Sequence, residues 1–133
     1  MAMTGIGIDL VDIARAERIL ARHGERALRR LLFPAERSYV EGMAVPARHF
    51  AVRLAAKEAV YKAFQSLPDA AGIGWRDIEV TREPAGRPGI CLHGRALEVA
   101  ETAGPYRIHL SLTHTEHSAG AVALLEVGPF NPE

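Results

Sequence analysis

The sequence predicts a single α+β domain in which an antiparallel sheet wraps around a long central helix. Segments with helical periodicity cluster early in the chain and strand-like segments cluster late, an order typical of this class. The 133 residues match the usual size of one domain, and 48% hydrophobic with 24% charged residues is typical of a folded protein. We therefore expect residues 1–133 to form one domain, with a frayed tail over residues 128–133.

The individual elements follow from periodicity and from the residues that begin and end helices. Prolines 34 and 46 fit the first turns of helices, and Asp12 suits the N-cap of the helix after it. The long helix is apolar or alanine around most of its circumference, so we expect it to be buried. The predicted order is a strand over 4–11, helices between 13 and 32 with a break at 23–24, helices over 34–41 and 47–65, a loop over 66–74, a strand over 75–82, a turn over 84–89, a strand over 90–93, a helix over 94–103 and strands over 106–114 and 118–127.

Composition excludes several classes of function. Sixteen basic residues balance sixteen acidic ones, which argues against a nucleic-acid binder that relies on overall positive charge. No apolar run is long enough to span a bilayer, and the apolar start of the chain meets Asp9 without a basic region before it, unlike a signal peptide. The single cysteine, Cys91, cannot form an internal disulfide. We expect a cytoplasmic protein with no membrane or nucleic-acid partner.

Two carboxylates lie where apolar residues are expected. Asp9 interrupts an apolar strand, and Glu58 shares one stripe of the long helix with small apolar residues and with Lys62. A buried carboxylate requires a cation or a metal. Two carboxylates beside a lysine suit Mg²⁺ and a phosphate group, with Arg53 and Lys57 adding positive charge from the same helix. The alternative is an exposed Glu58–Lys62 pair that only supports the helix.

Histidines offer a competing interpretation. His114 and His117 resemble a metal-binding pair. However, they are i and i+3 at a strand end, whereas zinc proteases use i and i+4 on a helix, and no third ligand is evident. His114 falls on the core-facing register of its strand, where a hydrogen-bonded structural histidine and a ligand-contacting one are equally plausible.

A basic stretch follows the first strand. Residues 15–30 contain six arginines and two glutamates, so this stretch carries four net positive charges although the chain as a whole carries none. It predicts a basic surface that attracts an acidic partner.

Three segments together resemble bacterial holo-[acyl-carrier-protein] synthase, the 4'-phosphopantetheinyl transferase of fatty-acid synthesis. They are GIGIDLVDIAR at 5–15, RLAAKEAVYKAF at 53–64 and LSLTHTEHSAGAVALLE at 110–126. The resemblance implies the 4'-phosphopantetheinyl transferase fold. It also implies Mg²⁺-dependent transfer of the phosphopantetheine arm from coenzyme A to a serine of apo acyl carrier protein, with release of adenosine 3',5'-bisphosphate.

The resemblance also implies roles for particular residues. Asp9 and Glu58 correspond to metal ligands, and Lys62 to a residue on the pyrophosphate; all three are thus catalytic candidates. In the family the active sites lie between subunits of a homotrimer. The implied coenzyme A contacts are Arg53, Lys62, Gly86, Arg87, Pro88, Thr113 and His114, and the implied carrier-protein contacts are Arg15, Arg18 and Arg22.

Two other functions remain as alternatives at this point. One is a noncatalytic module that binds an acidic protein through its arginine-rich helix. The other is a histidine-metal hydrolase that uses His114 and His117.

Overall fold

The computed structural model describes residues 3–131. The predicted α+β class is confirmed, and the elements follow the predicted order. They are β1 (Met3–Asp12), α1 (Ile13–His23), α2 (Glu25–Leu31), α3 (Pro34–Glu41), α4 (Pro46–Phe64), β2 (Ile78–Arg82), β3 (Pro88–Leu92), α5 (Gly94–Ala103), β4 (Tyr106–His114) and β5 (Ser118–Val127). None of the helices in the described part of the chain is long and apolar enough to cross a membrane.

The strands form two antiparallel sheets where the sequence predicted one. The larger sheet has the order β1-β5-β4, and β2 pairs with β3 in a separate hairpin. The larger sheet turns its inner face toward α4, and its small residues Ala119, Ala121 and Ala123 are buried there. Its outer face carries exposed apolar side chains.

Helix α4 packs directly onto β1 because two glycines permit a very close approach. A Cβ added at Gly7 would lie 1.8 Å from the carbonyl oxygen of Ala59, and one added at Gly5 would lie 2.1 Å from that of Ala63. No side chain fits at such distances, so the Gly-x-Gly pattern of β1 is a packing requirement. It brings the backbone of β1 against the centre of the domain.

A buried ion pair ties the helical layer to α4 and β2. Glu36 is 2% exposed and Lys57 is 1% exposed, and their carboxylate and ammonium groups lie 2.6 Å apart. Lys57 also donates to the carbonyl oxygens of Trp75 and Ile78, while Glu36 accepts from the backbone N–H of Val80 at 3.1 Å. Each group is thus satisfied, as a buried charge must be.

One local prediction is wrong, and a second is confirmed in position only. Trp75–Asp77 forms a 3₁₀ turn and not the start of a strand, because the Asp77 carboxylate accepts from the N–H of Gly74 at 2.9 Å and closes the turn. Asp12 occupies the N-cap position of α1, but its side chain makes no capping hydrogen bond. The N–H of Ile13 donates instead to the carbonyl oxygen of His117 at 2.9 Å.

The predicted tail divides into two parts. The N–H of Gly128 donates to the carbonyl oxygen of Pro105 at 2.6 Å, and the Phe130 ring lies 4.1 Å from the guanidinium carbon of Arg107. Residues 132–133 of that prediction lie outside the described residues.

Candidate functional site

The close contact between β1 and α4 joins two of the predicted site residues. The Lys62 ammonium donates to the Asp9 carboxylate at 3.1 Å and to the carbonyl oxygen of Ile8 at 3.0 Å. The Asp9 side chain is 17% exposed and that of Lys62 is 49% exposed. Asp9 is on the same face of β1 as Gly5 and Gly7, the two glycines that pack against α4. The packing of β1 on α4 therefore also places the Asp9 carboxylate next to α4.

Glu58 lies one helical turn before Lys62 and is half-buried. It forms no ion pair or side-chain hydrogen bond with any residue between 3 and 131, so the alternative Glu58–Lys62 structural pair is not observed. It lines a small pocket with Tyr61 and with Ile73, Gly74 and Trp75 from the loop after α4. The carboxylate is therefore free to bind a cation, and whether it shares that cation with Asp9 stays a prediction.

The loop after α4 is held in place by α5. The Arg95 guanidinium donates to the carbonyl oxygens of Asp69 at 2.6 Å and Ala71 at 3.0 Å. Leu67 and Ala70 of the loop are buried. These contacts fix the wall of the Glu58 pocket, which the sequence alone did not predict.

A second and larger cleft collects most of the predicted coenzyme A contacts. Its volume is about 340 Å³. The cleft is lined by Arg53 together with Gly86, Pro88, Thr113 and His114. Arg87 is exposed beside it in the turn between β2 and β3, where Gly86 has φ of +87° and thus requires a glycine. Asp9, Glu58 and Lys62 are not among the residues that line this cleft, so within one chain they are separate from most of the predicted coenzyme A contacts.

Sequence reasoning missed part of this cleft. Arg48, His49 and Arg82 also line it, and Tyr39 contacts the arginines from the side. The guanidinium carbon of Arg53 lies 4.4 Å from the centre of the Tyr39 ring, and that of Arg82 lies 5.2 Å from it. The sequence signal that could have found Arg48 and His49 is the run of basic residues at 48–53, which includes the predicted contact Arg53.

The cleft is lined by several basic side chains and by no acidic side chain among residues 3–131. Within the same described part of the chain, the buried Nε atoms of Arg48 and Arg53 have no hydrogen-bond partner. Burial lowers the pKa of Arg53, although the charge of Glu36 opposes the change. Burial likewise lowers the pKa of His49, and the charges of Arg53, Arg82 and Arg48 lower it further. Unpaired buried donors and excess positive charge are the features of an anion site.

The structure decides between the two interpretations of His114 and overturns the role predicted for Lys57. His114 occupies the core-facing register of β4, but it lies at the strand end, where the side chain is exposed, so it is not a buried structural histidine. Lys57 contributes no free charge to phosphate, because it is buried in its contact with Glu36. Burial lowers the pKa of Lys57, and the adjacent Glu36 carboxylate opposes that change.

The predicted basic surface is present on α1. Arg15, Arg18 and Arg22 are all exposed, while Ile13 and Ala16 on the other side of the helix are buried. Their spacing places them along one side of the helix.

The histidine-metal alternative finds no support in the geometry. Among residues 3–131, one group of three potential ligands lies close together, and it contains neither His114 nor His117. The His117 side chain is 85% exposed.

Comparison with known proteins decides the family. The family model described as 4'-phosphopantetheinyl transferase superfamily matches residues 5–122. The chain belongs to this superfamily. A holo-[acyl-carrier-protein] synthase of Syntrophus aciditrophicus (strain SB) is 45% identical over 122 residues, which cover 92% of this chain and 94% of the relative. The predicted likeness to these synthases and the prediction of an enzyme of this class are therefore confirmed.

Solved structures confirm the predicted fold of this superfamily. The ACPS-CoA complex of Chronobacterium ammoniagenes has a TM-score of 0.80 and 29% identity, covering 96% of this chain and 99% of that chain. The Helicobacter pylori holo-[acyl-carrier-protein] synthase in complex with coenzyme A has a TM-score of 0.72 and 29% identity, covering 89% and 96%. The noncatalytic alternative loses its basis, since the relatives are enzymes by name.

Proposed function

We propose that this protein transfers the 4'-phosphopantetheine arm of coenzyme A to a serine hydroxyl of apo acyl carrier protein and releases adenosine 3',5'-bisphosphate. The proposal rests on two features of one fold. The first is the group formed by Asp9 of β1 with Glu58 and Lys62 of α4, and the second is a positive cleft that suits phosphate groups. The relatives named as holo-[acyl-carrier-protein] synthases support it.

The carboxylates suit Mg²⁺ as the cofactor. Glu58 is half-buried without a partner among the described residues, and Asp9 is held against α4 by Lys62. Both supply the hard oxygen ligands that Mg²⁺ prefers. When bound, Mg²⁺ would neutralise negative charge on the pyrophosphate of coenzyme A as the phosphorus–oxygen bond breaks.

The chain's own groups then position the reactants. The serine oxygen attacks the phosphorus that bears pantetheine, and the bond from that phosphorus to the departing nucleotide breaks. Lys62 places a positive charge next to Asp9, where it can stabilise the developing phosphate of the leaving nucleotide. The serine proton must leave as the bond forms, and Glu58 is the carboxylate available to accept it directly or through water.

The cleft beside Arg53 suits the phosphate groups of the nucleotide part of coenzyme A. The buried Nε atoms of Arg48 and Arg53, which have no partner among the described residues, provide donors, and Arg82 adds charge. In one chain this cleft and the Glu58 pocket are lined by different residues. We therefore propose that a complete active site combines the Asp9–Glu58–Lys62 group of one subunit with the cleft of the next.

An exposed apolar surface supports contact between copies of the chain, which we propose form the homotrimer that the resemblance implies. Ile6, Ile8 and Leu10 on the outer face of β1 are 69%, 63% and 69% exposed, and Val122 of β5 beside them is 40% exposed. A contiguous apolar patch of this kind indicates a protein interface. Because Asp9 lies on the same strand, contact between copies there would bring a second chain close to the metal ligands.

The arginines of α1 suit the protein substrate. The resemblance implies that Arg15, Arg18 and Arg22 contact the carrier protein, and these residues form an exposed positive row in the first two turns and a half of the helix after β1, which suits an acidic carrier protein. Such a surface increases the rate of encounter with an acidic partner. The exposed, unpaired Cys91 fits a cytoplasmic location, where this activity would support fatty-acid biosynthesis.

The direct test is mass spectrometry of apo acyl carrier protein incubated with this protein, coenzyme A and Mg²⁺. We expect the carrier protein to gain the mass of one phosphopantetheine arm, and we expect no gain when a chelator removes Mg²⁺. An unchanged carrier-protein mass under complete conditions would refute the proposed activity.

A further inference from the structure

A group of metal-ligand side chains lies on the β2–β3 hairpin, apart from the candidate active site. Glu79 of β2 stands directly opposite Cys91 of β3 in the antiparallel register. His93 follows Cys91 by two residues, so both side chains point to the same side of the hairpin. One carboxylate oxygen, one thiol sulfur and one ring nitrogen all lie within 4.8 Å of one another.

Neighbouring contacts hold this group in position. The Nε2 atom of His93 lies 2.9 Å from Oε1 of Glu79. The His93 ring stacks on Phe33 with the ring centres 4.1 Å apart and an angle of 2° between the planes. The backbone N–H of His93 donates to the carbonyl oxygen of Asp77 at 2.7 Å. A ring fixed on both sides loses little freedom when it binds a ligand.

The group is separate from Asp9 and Glu58. Ile78 and Val80 are buried and point from β2 toward the core, whereas Glu79 lies between them and points the other way. The side chains of Glu79 and His93 are 13% and 32% exposed, and Cys91 is exposed. An ion from solvent can therefore reach all three without passing through the active site.

We propose that Glu79, Cys91 and His93 form a binding site for Zn²⁺, with the fourth position open to solvent. Sulfur, imidazole nitrogen and carboxylate oxygen are the donors that Zn²⁺ selects, and Mg²⁺ does not favour the sulfur or the nitrogen. Zn²⁺ bonds of about 2.0–2.3 Å place tetrahedral ligands roughly 3.5 Å apart, so the site would close by rotation of the Glu79 and Cys91 side chains around the fixed His93 ring. The Cys91 thiol releases its proton to solvent as the sulfur binds.

Bound Zn²⁺ would crosslink the two strands of the hairpin. Glu79 and Cys91 belong to different strands, and the same two strands are connected by the turn that carries Gly86 and Arg87. The ion would therefore stabilise the hairpin that presents this turn to coenzyme A, a consequence that rests on the proposed function, whereas the metal site itself does not.

The test is titration of the metal-free full-length protein with CoCl₂, followed by competition with ZnCl₂, in excess Mg²⁺. The excess Mg²⁺ occupies the proposed Asp9–Glu58 site, so the result does not depend on the proposed function. We expect one Co²⁺ per chain, a near-ultraviolet thiolate-to-cobalt charge-transfer band, and displacement of Co²⁺ by Zn²⁺. Cys91→Ser should abolish the band, and both Cys91→Ser and Glu79→Gln should weaken Zn²⁺ binding at least about tenfold.

His117→Gln is the matched control, because His117 is exposed and lies outside the group. It should bind Co²⁺ and Zn²⁺ as the unmodified protein does. Absence of the charge-transfer band, or Zn²⁺ affinity unchanged in Cys91→Ser, would overturn the proposal. Circular dichroism of each variant establishes that it is folded, and since Cys91 is exposed, Cys91→Ser keeps the test valid if Glu79→Gln fails to fold.

Discussion

At the residue scale, His49 connects the electrostatics of the cleft to pH. Its ring stands edge-on to Tyr39, and burial disfavours its protonated form, as do the charges of Arg53, Arg82, Arg48 and His114. Because the folded-state pKa lies below the ordinary value of 6.5, the unfolded chain binds a proton more readily as the pH falls below 6.5. The contribution of His49 to folding stability is therefore lost between that value and its lower folded-state pKa.

Anion binding should oppose the part of the His49 pKa shift that the nearby arginines cause. We expect adenosine 3',5'-bisphosphate to raise the pKa of His49, because its phosphates offset the arginine charges that lower it. NMR titration of the histidine ring protons with and without the nucleotide measures the change, and exposed His117 serves as the control. An identical His49 titration in both conditions would show that the anion binds elsewhere.

Individual residues also show why some parts of the candidate site could be predicted from the sequence and others could not. Asp9 and Glu58 stand out because carboxylates are costly among apolar neighbours, and that argument needs no tertiary information. The buried ion pair of Lys57 could not be predicted by this argument. Its partner Glu36 lies 21 residues away on another helix, and nothing in the local pattern distinguishes this buried pair from solvent-exposed charges.

At the scale of elements, the Glu36–Lys57 pair holds α3, α4 and β2 together. We expect Glu36→Gln to lower the free energy of unfolding by about 3–5 kcal/mol, because it leaves the Lys57 ammonium buried without a counter-charge. Urea denaturation measures the loss. Glu41→Gln on the same helix is the control: its pair with Arg37 is solvent-exposed, and its loss should cost about 0.5 kcal/mol. Equal effects of the two substitutions would contradict the assigned role.

Helix α1 is the element proposed to contact the carrier protein. Arg15→Glu should raise the KM for apo acyl carrier protein by about tenfold with little change in the KM for coenzyme A, because it reverses one charge on the docking surface alone. Steady-state kinetics with each substrate varied in turn measures both values. Arg30→Glu on α2 provides an exposed arginine outside the proposed row. A similar rise in both KM values would exclude selective docking at Arg15.

The order and bounds of the elements were largely predictable, and the division into two sheets was not. Proline positions and periodicity located α4 within one residue of its observed ends. Strand pairing depends on contacts between distant segments, and β1 pairs with β5 at the other end of the chain. Local alternation contains no information about such partners.

At the scale of the whole molecule, the proposed trimer depends on the exposed apolar outer face of β1. We expect Ile8→Glu to convert the proposed trimer to monomers and to reduce transfer activity, because it would bury a charge in an apolar interface and separate the two parts of the proposed site. Light scattering after size-exclusion chromatography gives the mass. Val45→Glu, at an exposed apolar residue away from β1, should remain trimeric. A trimeric Ile8→Glu protein would place the interface elsewhere.

The proposed chemistry depends most on Asp9 of β1 and Glu58 of α4 sharing one divalent ion. Titration of Mn²⁺ in place of Mg²⁺, followed by electron paramagnetic resonance in the presence of coenzyme A, measures this most directly. We predict one Mn²⁺ per chain and a Kd raised at least about tenfold in both Asp9→Asn and Glu58→Gln, with the double variant losing little more than either single one. Unchanged Mn²⁺ affinity in either single variant would contradict the account.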